Sequence, residues 1–330
     1  MAIKEFLLGI ETEVKSLLNP SSKVGITKTL YVPNVEDSGF NLGTGEVLKA
    51  KTIDTCVLFI DIRKSTQLNL TYSEDVLAKL YAAFIKSMLK AAEYFGGKVR
   101  NINGDRVMVV FNTQGCFKAA IDTACLMHTI SRNIIDTAFS QAKFECGIGI
   151  DYGEMVVVKT GTIKQGDENQ FYKSFVWLGK PANLSSKLTD LANKENTVVT
   201  LKHWFTNPFR RLLTRPGAFP SILPSTGLFP PVRNTPVLTD VKLDNAAFAE
   251  KLDKPSAEST TKYQGNEVVS WSRAKVKSAP ILITEEVYKG LKNAAPQSEY
   301  FTKFIISESN IKVTGYTGKV YGLDAIYNFK

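Results

Sequence analysis

The chain has only two histidines in 330 residues, His128 and His203. That leaves too few imidazoles for a histidine-rich metal site or for most hydrolytic triads, and each histidine reads as an ordinary structural residue. Four cysteines, Cys56, Cys116, Cys125 and Cys146, form no CxxC pair and sit inside apolar segments. This spacing favours reduced core thiols over zinc or disulfides. No apolar run is long enough for a signal peptide or a membrane span, and no internal repeat is present. The aromatic platform that would accompany single-stranded nucleic-acid binding is also missing. The expectation is a soluble, cytoplasmic protein without direct membrane insertion and without a nucleic-acid partner.

What is present is an ordinary globular composition with a formal charge of +9. Such a charge suits a polyanionic partner, nucleic acid or nucleoside triphosphate alike, and does not choose between them. The first segment places Phe6, Leu7, Ile10, Val14, Leu17 and Leu18 at helical spacing. Its polar face mixes Glu with Lys, so the apolar face is expected to pack on its own domain or on a twin subunit rather than on a membrane. Residues 1–50 read as an N-terminal helical extension and 51–330 as one domain.

Within that domain the periodicity alternates strand and helix. Val57–Ile60 is a short apolar strand. Ser73–Phe95 is a long amphipathic helix opened by a Ser cap and ended by Gly96-Gly97. "KVRNINGDRVMVVF" reads as two strands around an Asn103-Gly104-Asp105 hairpin turn, and a second long helix runs from about Gln114 to Asp136. "KFECGIGIDYGEMVVV" gives two more strands, and a helix spans about Lys180 to Asn193. The order β, α, β, β, α, β predicts an α+β, ferredoxin-like sheet. From roughly Thr197 to Ala279 the chain turns rich in Pro, Ser, Thr and bases, which reads as an insertion or loop-rich subdomain, with a linker as the alternative. Its bases Arg210, Arg211, Arg215 and Arg233 read as solvated. Strands are expected again in "PILIT", "FIISES", "NIKVTG" and "KVYGLDAIY", with a helix after the first.

The stretch "VLFIDIRKST" poses the chemical question, because a strand that has just built an apolar run ends on Asp61. In the expected sheet this strand runs beside the one that follows the hairpin, so Asp61 and Asp105 converge at one edge. Two carboxylates there, followed by the backbone amides of Arg63, Lys64, Ser65 and Thr66, suit a divalent cation with bound phosphates. Taken singly, Asp61 reads as a helix cap and Asp105 as a turn former.

Together with their surroundings, "FIDIRKST" and "GGKVRNINGDRVMVVF" resemble the two metal-binding segments of class III nucleotide cyclases. "FVWLGKPANLSSKL" resembles the family's V-W-G-x-x-V-N-x-A-S-R-L segment, and "PILITEEVYKGL" the strand and helix after it. The resemblance covers about Thr52–Asn196 and Ser278 to the C-terminus, and it implies the same ferredoxin-like core. It implies that Asp61, Asp105 and the Ile62 carbonyl hold two Mg²⁺ or Mn²⁺ ions per active site. It further implies that Asn183 orients the ribose and that Lys187 stands where the family has a phosphate-stabilising Arg. Composite sites across a head-to-tail homodimer follow as well. Lys187 keeps the charge but loses the bidentate fork. The family's C-terminal phosphate-binding Lys aligns with Thr314, leaving Lys312 or Lys319 as substitutes.

The base-reading positions depart from the adenylyl enzymes, with Asn101 and Val176 where those carry Lys and Asp. A site that lacks the hydrogen-bonding pair for adenine rejects adenine. In this respect the chain is similar to the cytoplasmic bacterial cyclases of the Pycsar anti-phage systems. These make cyclic UMP or cyclic CMP from UTP or CTP for a separate cyclic-nucleotide effector. Uridylate cyclase is the expected activity. The alternatives are cytidylate cyclase, a purine cyclase with an unusual base pocket, or a non-catalytic nucleotide-binding module.

Overall fold

A computed structural model of the chain describes residues 3–42, 47–164, 167–169, 172–205, 237–239, 258–263, 267–301, 305–307 and 311–328. It divides into two units, one of Met1–Lys194 with Ser278–Lys330 and the other of Glu195–Lys277.

The first unit opens with helix α1 (Ile3–Leu17) and strand β1 (Gly25–Lys28). Strand β2 (Lys49–Ile62) leads through the short helix α2 (Ser65–Thr71) to α3 (Glu74–Tyr94). Ser73 takes the N-cap position of α3, in line with the sequence reading. The hairpin follows as β3 (Lys98–Asn103) and β4 (Arg106–Val110), with the positive φ of its turn, 62°, falling on Gly104. Glycine meets that requirement without a Cβ clash. Helix α4 (Cys116–Thr129) continues through a π-helical turn (Ile130–Ile135) into a last turn, α5 (Asp136–Ala138). Thus the expected second helix exists, but with a widened segment inside it.

Strand β5 (Cys146–Thr160) is one uninterrupted strand where two hinged strands were expected. A small hairpin of β6 (Ile163–Lys164) and β7 (Asp167–Glu168) precedes β8 (Ser174–Leu178) and helix α6 (Lys180–Leu191).

The second unit is an antiparallel sheet of β9 (Glu195–Phe205), β10 (Val237–Thr239), β11 (Glu258–Tyr263) and β12 (Glu267–Lys277), in the order β10-β9-β12-β11. Strands β9 and β12 pair along their whole length. Regular strands are therefore present in the stretch whose composition reads as an insertion or loop-rich subdomain. Arg210, Arg211, Arg215 and Arg233 lie outside the described residues, as does the side chain of His203.

The first unit closes with β13 (Ile281–Thr284), α7 (Glu285–Ala294), β14 (Ile305–Ser307) and β15 (Val320–Leu323). The strand expected in "NIKVTG" is not formed: among its described residues, Ile311–Gly315 make a turn in which Val313 is buried and Gly315 has φ 82°.

The nine-stranded sheet has the path β14-β15-β13-β5-β2-β4-β3, with β1 on β2 and β8 on β5. Its segment β5-β2-β4-β3 is the strand order that a βαββαβ chain must take in the ferredoxin-like fold. Both faces are covered. Cys56, Leu58, Ile60 and Ile62 of β2 pack with Phe84 and Met88 of α3 and Ile121 of α4. Ile53 and Val57 pack on the opposite face with Met155, Val157 and Phe40. A strand buried on both faces reads as a continuous apolar run, and this explains the five residues before Asp61. Leu184 and Leu188 of α6 form a third cluster with Leu282, Val313 and Val320.

The four cysteines are buried and free, as expected. His128 is a buried structural residue within 3.0 Å of Asp324 Oδ1. Helix α1 buries none of its residues, and Phe6, Leu7, Val14 and Leu17 are exposed. Of the two partners expected for its apolar face, its own domain supplies no cover among the described residues. Among the described residues no helix is long and apolar enough to cross a membrane.

Candidate active site

Asp61 is the penultimate residue of β2 and shares a sheet face with Val57 and Phe59, the face on which α6 lies. Strand β4 pairs with β2 up to Val107 opposite Ile60, so the hairpin delivers Asp105 beside the end of β2. The Ile62 N–H donates to Asp105 Oδ2 at 3.2 Å, and the two carboxylates stand within hydrogen-bonding reach of each other. Burial, and then the neighbouring Asp61, push the Asp105 carboxyl up to about 6. Two acids brought this close share their negative charge unwillingly, which is the situation a divalent cation relieves. The donor set of hard carboxylate oxygens fits Mg²⁺ or Mn²⁺.

The segment after Asp61 is less uniform than its sequence suggests. Arg63 uses its N–H on Glu145 O (2.7 Å). Its side chain turns inward, Nη1 reaching Asp190 O at 3.4 Å and Nη2 lying 3.8 Å from Asp61 Oδ2. Lys64 adopts a left-handed conformation (φ 58°) at the N-cap of α2, and Ser65 and Thr66 begin that helix.

Helix α6 is seated very close to the sheet. A Cβ at Gly149 would fall 2.2 Å from Ser185 O and 2.5 Å from Thr189 N, so the helix backbone rests on a glycine. Thr189 adds a hydrogen bond from Oγ1 to Phe59 O at 3.1 Å. Asn183 and Lys187, one helical turn apart, are both exposed, and the Lys187 ammonium donates to Thr314 O at 2.9 Å. Among the described contacts, neither of them touches Asp61 or Asp105 of the same chain. Asn101 is exposed on β3 next to a bulge, opposite Met108, and Val176 is 41% exposed on β8.

A residue that sequence reasoning passed over joins these parts. Arg106, directly after Asp105, donates from Nη2 to Asp61 Oδ2 at 2.7 Å and to Asp190 Oδ1, and from Nη1 to Ser186 Oγ at 2.8 Å. A base next to the turn aspartate was the only local signal, and its partners are 45 to 84 residues away in the chain.

No family model matches the chain. It is 30% identical over 183 residues to a uridylate cyclase of Burkholderia cepacia, an alignment covering 54% of this chain and 75% of that protein. Against a uridylate cyclase of Gulbenkiania mobilis it is 30% identical over 196 residues, covering 56% and 70%. A cytidylate cyclase of Staphylococcus aureus is 34% identical over 151 residues, covering 38% and 36%. Among solved structures, the adenylyl cyclase CyaB from P. aeruginosa superimposes with TM-score 0.49 at 18% identity, covering 85% of this chain and 98% of that one. Identity at this level over three quarters of a relative, on a chain whose sheet edge carries the paired aspartates, places it: the chain belongs to the class III nucleotide cyclases, in the group that includes the bacterial uridylate and cytidylate cyclases.

Proposed function

We propose that the chain cyclises a pyrimidine nucleoside triphosphate, UTP in first place and CTP in second, to the 3′,5′-cyclic monophosphate and pyrophosphate. The observation that carries this reading is the pairing of Asp61 with Asp105 at one sheet edge, with the Asp105 carboxyl raised by burial and by its neighbour. In the reaction the substrate's 3′-oxygen forms a bond to the α-phosphorus, the bond from that phosphorus to the pyrophosphate oxygen breaks, and the hydroxyl proton passes to solvent. Both reacting groups belong to one molecule, so the protein's task is positioning and charge stabilisation.

Asp61 and Asp105, with the Ile62 carbonyl, would hold two Mg²⁺ or Mn²⁺ ions, which when bound acidify the 3′-hydroxyl and neutralise the triphosphate. Asn183 orients the ribose, and Lys187 places positive charge on the transferring phosphate as a point charge rather than a fork. Arg63, Lys64, Ser65 and Thr66 are the candidate phosphate contacts of the carboxylate side. Because Asn183 and Lys187 are exposed and, among the described contacts, touch neither aspartate of their own chain, they are best suited to complete the site of a second copy in a homodimer. Asn101 and Val176 line the base and offer no lysine–aspartate pair for adenine. The names of the relatives support the pyrimidine reading, and uridylate cyclases are both of the first two relatives given above. A cyclic pyrimidine nucleotide made in the bacterial cytoplasm would serve as a signal to a separate effector during phage infection.

The test is to incubate the purified chain with Mn²⁺ and equal UTP, CTP, ATP and GTP, and to identify products by mass, beside an Asp61→Ala/Asp105→Ala control. Cyclic UMP that vanishes in the control is the expected result. Cyclic AMP or cyclic GMP would keep the chemistry and overturn the pyrimidine reading, and no cyclic product would favour a non-catalytic nucleotide-binding module.

A further inference from the structure

Arg106 answers the carboxylate pair with a cation from the same chain. The Arg106 side chain is 28% exposed and that of Asp61 17%, so their attraction is screened less than that of a surface pair. Two of its three acceptors, Ser186 and Asp190, lie one turn apart on α6. A guanidinium carries five donors in a fixed fork, so it can release one acceptor while keeping others. Asp61 Oδ2, the atom it holds at 2.7 Å, belongs to the carboxylate that a dication needs.

We propose that Arg106 is an internal counter-cation that occupies Asp61 until a divalent ion displaces it, with Ser186 and Asp190 of α6 holding the displaced guanidinium aside. The proposal rests on the reading of Asp61 as a metal ligand. Arg106 is then a positioning residue that sets how much free metal the site requires. Ser186 and Asp190 already bind Arg106 while it is on Asp61, so they keep the guanidinium at the site without changing what leaving Asp61 costs. The same helix carries Asn183 and Lys187, so occupation of the carboxylates is felt by the residues proposed to meet the nucleotide.

The experiment titrates Mn²⁺ alone, without nucleotide, into the full chain and reads free Mn²⁺ by electron paramagnetic resonance. It compares wild type, Arg106→Met, Arg106→Lys, Ser186→Ala, Arg106→Met/Ser186→Ala and Asp61→Asn. Arg106→Met should bind Mn²⁺ at least about tenfold more tightly, the lower end of what an opposite charge in contact does to a carboxylate's proton affinity. Arg106→Lys keeps the charge and should bind less tightly than Arg106→Met. Ser186→Ala removes a contact made both before and after displacement, and should leave Mn²⁺ binding unchanged in the wild-type and Arg106→Met backgrounds alike. Equal or weaker binding by Arg106→Met overturns the proposal. If that variant does not fold, Arg106→Gln, which also removes the charge, takes its place, and equal or weaker binding by it overturns the proposal. Should Asp61→Asn bind Mn²⁺ as wild type does, the metal reading itself fails, a result distinct from either of these.

Discussion

The backbone N–H of Ile62 donates to Asp105 Oδ2 at 3.2 Å, so the second aspartate of the site is held by the end of the strand that carries the first. That bond fixes the spacing of the two acids and by itself favours the ionised form, but burial, and then the neighbouring Asp61, outweigh it and push the Asp105 carboxyl up to about 6. Above that pH, holding Asp105 ionised costs stability, since an acid with a raised value favours the folded state only while protonated. Asp105→Asn keeps an acceptor for Ile62 and removes the charge. It should lower cyclic-nucleotide production by at least about a hundredfold while raising thermal stability at pH 7.5 by about 1 kcal/mol, after allowance for screening of a half-buried group. Calorimetry beside a product assay checks both directions.

Subunit complementation tests the composite site. Asp61→Asn and Lys187→Ala should each be inactive alone, and mixing equal amounts with time for exchange should restore about a quarter of wild-type activity. The figure follows because half the dimers are mixed and each of these has one intact site. Activity that stays at the baseline after exchange would mean that Asp61 and Lys187 serve the same site of one chain.

Base choice should respond to the two departures read from the sequence. Installing Asn101→Lys with Val176→Asp gives the pocket a donor and an acceptor for adenine. The ratio of kcat/KM for ATP over UTP should rise at least about tenfold, as expected when a site gains a hydrogen-bonding pair for one base. An unchanged ratio in a competition assay would place the base elsewhere.

Asp151 offers a pH test away from the site. It is buried in β5, accepts a hydrogen bond from Thr284 Oγ1 at 2.7 Å, and burial pushes its carboxyl up to about 6. With the folded value above the unfolded one, its contribution is favourable at pH 4 and is lost as pH rises through about 6. Asp151→Asn should remove up to about 3 kcal/mol of pH dependence between pH 4 and 7. Denaturant melts across that range would show parallel curves for wild type and variant if the assignment is wrong.

The close seat of α6 makes a sharp prediction at Gly149. A methyl group there meets Ser185 O at 2.2 Å and Thr189 N at 2.5 Å, both backbone atoms that cannot rotate away. Gly149→Ala should cost more than about 2 kcal/mol, the range of an overpacked core, and should reduce activity further by moving Asn183 and Lys187. Chemical denaturation and a kcat measurement on the same preparation check it.

The sequence by itself determined the elements whose cause is local. The apolar run ending on Asp61, the Asn-Gly hairpin, the Ser73 cap and the long amphipathic helix α3 are set by neighbours a few residues away, and their order implied the strand path β5-β2-β4-β3. It also contained signals that went unread. Alternating glycines in "CGIGI" mark the face where a helix backbone comes down on a strand. The β-branched run Thr197–Thr200, followed by Trp204 and Phe205, marks β9 despite the prolines after it.

Only the tertiary structure decided the partners of those elements. It joined Arg106 to Asp61, Asp190 and Ser186, turned Arg63 inward, sent Lys187 to Thr314, and left the apolar face of α1 exposed among the described residues. The physical reason is range. Backbone propensity and side-chain periodicity act over one or two turns, whereas these contacts arise between segments that are brought together when the sheet and α6 bury their apolar faces.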